Sequence, residues 1–107
     1  MTARIVFKPG VKLHGLRPEM LACLWPVAGV YGSHGVEVCT VTSGTEPGPH
    51  KRGSLHFNGL ALDFRTIRAS RLVDWQRVAD EVREALTDEF DVVLEATHLH
   101  VEFHPKG

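Results

Sequence analysis

The chain has 107 residues, of which 43% are apolar and 23% charged, with a formal net charge of −1. That is enough for one compact domain with a modest core, and the sequence reads as a single domain over residues 1–107. So even a charge balance leaves no electrostatic footprint for nucleic acid, and no apolar run reaches the ~20 residues of a membrane-spanning helix, so neither nucleic acid nor membrane is expected as a partner.

The N-terminus, M-T-A-R-I-V-F-K-P-G, lacks the apolar core and small-residue cleavage site of a secretory signal. Synthesis in the cytoplasm is therefore expected, with any export assisted by other proteins. Arg4 to Phe7 reads as a short strand stopped by Pro9-Gly10. Arg17 to Gly32 reads as a helix with Pro18 in its first turn, where the missing N–H costs nothing. Its apolar face is Leu21, Leu24, Val27, Val30 and Tyr31. Pro26 lies inside this pattern and should kink or split it. Gly32 to Gly35 end it.

Val36 to Thr42 is β-branched and reads as a strand. The next eleven residues, S-G-T-E-P-G-P-H-K-R-G, read as a loop. Gly59 to Arg65 is a second strand pattern, with Leu60, Leu62 and Phe64 on one face and Gly59, Ala61 and Asp63 on the other. Ser70 is the expected N-cap of a long helix over Arg71 to Leu86. Its stripe of Leu72, Trp75, Val78, Ala79, Val82, Ala85 and Leu86 reads as core. Asp91 to Leu94 and His98 to Phe103 read as closing strands, either as a hairpin around Ala96-Thr97 or with Glu95 to Leu99 as one continuous strand. This order predicts an α+β domain, with two main helices packed on an antiparallel sheet.

Cys23 and Cys39 each sit in an apolar segment and read as buried, reduced thiols. With no C-x-x-C pair, a thiolate zinc knuckle is excluded. The seven histidines are the unusual count, three of them in the last ten residues. On a strand, His98 and His100 share one face while Leu99, Val101 and Phe103 take the other. Asp63 projects from a face that Gly59 and Ala61 leave almost bare, and His56, seven positions earlier, can swing over it. Read singly, each stretch fits two readings equally: part of a concave polar site, or a solvated strand face with Asp63 in a surface ion pair with Arg65 or Arg68. Read together, two histidines and a carboxylate with one open position form a zinc arrangement suited to hydrolysis. Glu95, near the third ligand, is the candidate general base.

Ser54, His56, Gly59, Ala61 and Asp63 occupy every fixed position of S-x-H-x-x-G-x-A-x-D. The stretch resembles the signature of zinc D-Ala-D-Ala carboxypeptidases and L-alanyl-D-glutamate endopeptidases. His98-Leu99-His100 resembles that family's second motif, H-x-H, and the Hedgehog signalling domain has a similar metal site. The resemblance covers about Val36 to Pro105 and implies a Hedgehog- or D-Ala-D-Ala peptidase-like fold. It further implies one Zn2+ per chain held by His56, Asp63 and His100, with Glu95 as base and His98 stabilising the transition state. The implied substrate is a peptidoglycan stem peptide or cross-link. Some relatives instead carry an acidic residue three positions before a ligand histidine, a spacing that Glu95 and His98 also meet. His100 is preferred because H-x-H is complete and Glu95 then keeps the base position.

Many relatives carry an arginine ahead of the first motif that binds substrate; here Ser43-Gly44 is followed by Thr45-Glu46. His50, Lys51 and Arg52 are the candidate replacements, so Ser54, Arg52 and His50 form the expected substrate-binding set. Compact relatives without a wall-binding module look like phage lysis or virion proteins. The expected place of action is the cell wall after assisted release, or wall-derived peptides. The alternative is a non-catalytic domain whose metal site serves binding or structure. Of the other groups, His14 and His34 read as surface turn residues, and His104 is expected to face away from His98 and His100. Glu102, in phase with those two, is either a supporting partner of the ligands or, the preferred reading, a solvated strand end. Lys51, Arg52, Arg65, Arg68 and Arg71 read as a solvated basic surface.

Overall fold

A computed structural model describes residues 1–46, 58–66 and 72–105. The chain runs β1 (Arg4–Phe7), α1 (Pro18–Ala22), α2 (Leu24–Ser33), β2 (Val38–Ser43), β3 (Ala61–Arg65), α3 (Trp75–Ala85), β4 (Phe90–Leu94) and β5 (His98–Phe103). The strands form one sheet in the order β1-β2-β3-β5-β4. Four strands pair antiparallel, whereas β1 runs parallel to β2. A parallel pair needs a crossover connection, and here α1 and α2 supply it. The architecture is therefore α+β with a mostly antiparallel sheet.

The predicted first helix is two. The break falls at Cys23, the C-cap of α1 and N-cap of α2, so Pro26 sits in the first turn of α2 and deprives no internal carbonyl of a donor. The buried face is Met20, Leu24, Val27, Ala28 and Tyr31, while Leu21 and Trp25 point outward. Helix α3 starts later than expected. Asp74, not Ser70, caps it, accepting the Arg77 N–H at 3.1 Å; Ser70 lies outside the described residues. Leu72, assigned to the core stripe, precedes the helix and is 95% exposed. Ala85, at the helix end, is also exposed.

The core lies between the helices and one face of the sheet. Trp75 of α3 meets Tyr31 of α2 edge-to-face, with ring centroids 5.3 Å apart. Val78, Val82, Leu62, Phe64, Leu99 and Val101 fill the space behind them, all fully buried. Both cysteines are free and buried. Burial, together with the nearby second thiol in the case of Cys39, pushes each up to about 12. Arg83 of α3 donates to the Val92 carbonyl at 2.8 Å, and His34 at the end of α2 lies 3.0 Å from the Glu81 carboxylate. His34, expected on the surface, is therefore half-buried and links the two helices. His14 is exposed, as expected.

Candidate functional site

Strand alternation leaves the second face of the sheet for polar groups. Along the β3–β5 ladder Ala61 opposes Glu102, Asp63 opposes His100 and Arg65 opposes His98. Along β4–β5, Asp91 opposes Glu102 and Val93 opposes His100. The Glu95 N–H donates to the His98 carbonyl at 2.8 Å, which closes a hairpin over Ala96-Thr97 and sets Glu95 opposite His98. Directly opposed residues share a face. Asp63, Glu95, His98, His100 and Glu102 therefore stand together on the side away from the helices.

Asp63 is the hub. Its Oδ1 is 2.8 Å from His100 Nδ1 and 3.7 Å from His98 Nε2. His98 Nδ1 lies 3.1 Å from the Thr97 hydroxyl, so its Nε2 is the nitrogen turned toward Asp63. His100 Nε2 lies 2.9 Å from Glu102 Oε1, placing the ring between two carboxylates. The hydrogen bond to Asp63 raises the His100 pKa, partial burial opposes the rise, and the Glu102 bond and both negative charges add to it. Glu102 is thus a partner of His100 and not a solvated strand end. His104 shares this face as well. It continues the even-numbered series and lies 3.5 Å from Asp91, a residue of the same face, so it does not face away.

Gly59 sets the approach to β3. Its φ of +72° is a conformation that glycine adopts freely, and a Cβ there would run into the Gly15 carbonyl. Its own carbonyl accepts the Arg17 N–H at 3.0 Å, pinning this turn to the start of α1. Ala61 is fully buried and adds only a methyl beside the polar cluster. Glu46, in the stretch where an arginine was sought, serves as a clamp. It accepts from the Ser43 hydroxyl at 2.7 Å, the Gly44 N–H at 2.8 Å and the Lys12 N–H at 3.1 Å. Burial raises its pKa, but those donors prevail and hold it at about 2.

His56, Ser54, Arg52 and His50 lie outside the described residues, as do Lys51, Arg68 and Arg71. The structure thus brings together Asp63, Glu95, His98 and His100 of the candidates, and Arg65 is exposed at the end of β3. Among the described residues no three His, Cys, Asp or Glu side chains are arranged around one metal-sized point. The donor types nevertheless fit zinc, which takes imidazole nitrogen and carboxylate oxygen at about 2.0–2.2 Å, so that neighbouring ligand atoms stand about 3.3–3.6 Å apart. The 3.7 Å between Asp63 and His98 is near that spacing. The 2.8 Å between Asp63 and His100 is the length of a shared proton, which a metal ion would replace. Compared with models of known protein families, with curated proteins and with solved structures, the chain matches none.

Proposed function

We propose that the protein is a zinc-dependent peptidase acting on the stem peptides or cross-links of peptidoglycan. The observation that carries this reading is the pairing of Asp63 with His100 across β3 and β5, with His98 and Glu95 on the same face. It joins two motifs that stand 35 positions apart in the chain, counted from Asp63 to His98. Their wording, S-L-H-F-N-G-L-A-L-D and H-L-H, resembles that of zinc D-Ala-D-Ala carboxypeptidases and L-alanyl-D-glutamate endopeptidases.

In this reading His56, Asp63 and His100 hold the zinc. When bound, zinc lowers the pKa of water to ~7 and polarises a carbonyl oxygen. Glu95, exposed at the start of the hairpin turn and opposite His98, takes the proton from the attacking water and returns it to the leaving amine nitrogen. His98 donates an N–H to the oxygen that gains charge as the carbonyl carbon becomes tetrahedral. His50, Arg52 and Ser54 bind the substrate peptide.

A second reading is a non-catalytic domain. The Asp63–His100 hydrogen bond favours it, because that bond itself links β3 to β5, and Glu102 extends the chain along β5. The two readings part in a digest of purified peptidoglycan, with and without a zinc chelator, read by mass spectrometry for new peptide termini. The expected result is chelator-sensitive cleavage that His56→Ala abolishes together with zinc binding. A fully active His56→Ala protein would overturn the ligand assignment. No cleavage by zinc-loaded protein across several wall types would favour the non-catalytic domain.

A further inference from the structure

Glu102 has no part in the mechanism above, yet it makes the second contact of the central histidine. An imidazole has two ring nitrogens that point in nearly opposite directions. Asp63 Oδ1 meets one at 2.8 Å and Glu102 Oε1 meets the other at 2.9 Å. Holding one nitrogen leaves the ring free to pivot; holding both fixes its plane and its tilt. Ala61, across the ladder from Glu102, carries only a methyl, so nothing bulky from β3 displaces the carboxylate. Glu102 is itself partly covered, with a side chain 24% exposed, so its bond to His100 is shielded from full competition by water.

We propose that Glu102 is a positioning residue: it accepts the Nε2–H of His100 and thereby presents Nδ1, on the Asp63 side, to a metal ion. A neutral imidazole carries one proton. Anchoring that proton on Nε2 leaves the lone pair at Nδ1 and selects one tautomer, and a carboxylate acceptor also makes the ring a better donor to a metal. The inference rests on the zinc reading with His100 as a ligand. It adds why the strand reads H-L-H-V-E: three alternate residues place the second histidine and its orienting carboxylate on one face.

The test is zinc affinity of the full chain by competition with a chromophoric chelator, for Glu102→Ala, Glu102→Gln and, as a control for lost negative charge, Asp91→Ala. Glu102→Ala should bind zinc about 10- to 100-fold more weakly. Glu102→Gln keeps a carbonyl acceptor and should recover most of that loss, and Asp91→Ala should bind like the parent. Nitrogen-15 NMR of the histidine rings gives a second readout, with His100 in the zinc-loaded parent protonated at Nε2. Melting of the metal-free variants shows that each one folds. Parent-like affinity in Glu102→Ala, a glutamine variant no better than the alanine one, or His100 protonated at Nδ1 would each overturn the positioning role. A parent protein that binds no zinc would instead overturn the metal reading beneath it.

Discussion

At the scale of single residues, the site depends on positions that carry no chemistry. Gly59 is placed twice over, by a positive φ and by the Gly15 carbonyl that a side chain would strike. Either constraint alone costs a substituted residue about 1–2 kcal/mol or more. Gly59→Ala should therefore lose about 2–4 kcal/mol in urea unfolding, where a typical point change loses about 1. A loss under about 1 kcal/mol would show that the turn relaxes around the new methyl. The same residue scale explains what a sequence does not disclose. The phase of Glu102 with His98 and His100 was legible, but its partner was not, because a glutamate at a strand end looks alike whether water or a histidine receives it. The alternation that also includes His104 was open to the same inspection. Gly59, by contrast, reads in the sequence only as a bare position on the Asp63 face, and the contact with Gly15 adds a reason that lies outside its own stretch.

Elements were legible where alternation or caps spoke, and less so where packing partners decided. β1 and β5 fall where the pattern put them, and the hairpin at Ala96-Thr97 is present. Helix faces were harder. Periodicity gives a stripe but not the direction of the neighbouring element, so it includes Leu21, which is exposed, and omits Met20, which is fully buried. The parallel β1–β2 pair was out of reach, because strand direction depends on how the crossover helices pack. The end of β2 shows how an element is fixed by a neighbour distant in sequence, since Glu46 gathers Ser43, Gly44 and Lys12. Its pKa is lowered from 4.5 to about 2. A lowered carboxylate contributes stability that is fully present above its ordinary value and lost as pH falls through the folded one. Glu46→Gln should thus melt below the parent at pH 7, and the gap should close between pH 4.5 and about 2. A gap that stays constant over that range would assign the effect to shape and not to charge.

For the whole molecule, the sheet divides labour between its faces. Leu99 sits between His98 and His100 in the chain but points the other way, fully buried against the helices. Leu99→Ala should remove about 2–5 kcal/mol of stability, within the 5–15 kcal/mol of a typical domain. On the zinc reading, the folded fraction should retain the zinc affinity of the parent. Loss of zinc binding in protein that circular dichroism shows to be folded would mean that the two faces are coupled.

The ladder that sets Asp63 opposite His100 has a further consequence. Polar side chains recur at every second position of β5, so a slide of two residues would bring Asp63 against His98 in one direction or Glu102 in the other. The first exchange replaces one imidazole by another, and the polar face alone scarcely distinguishes it. The reverse side does. Leu99 lies against Phe64 and Val101 against Leu62, while the tight turn at Ala96-Thr97 locks β5 to β4. The hydrophobic back of the sheet thus works as a vernier, and the choice of which histidine meets the aspartate is made by residues that touch neither.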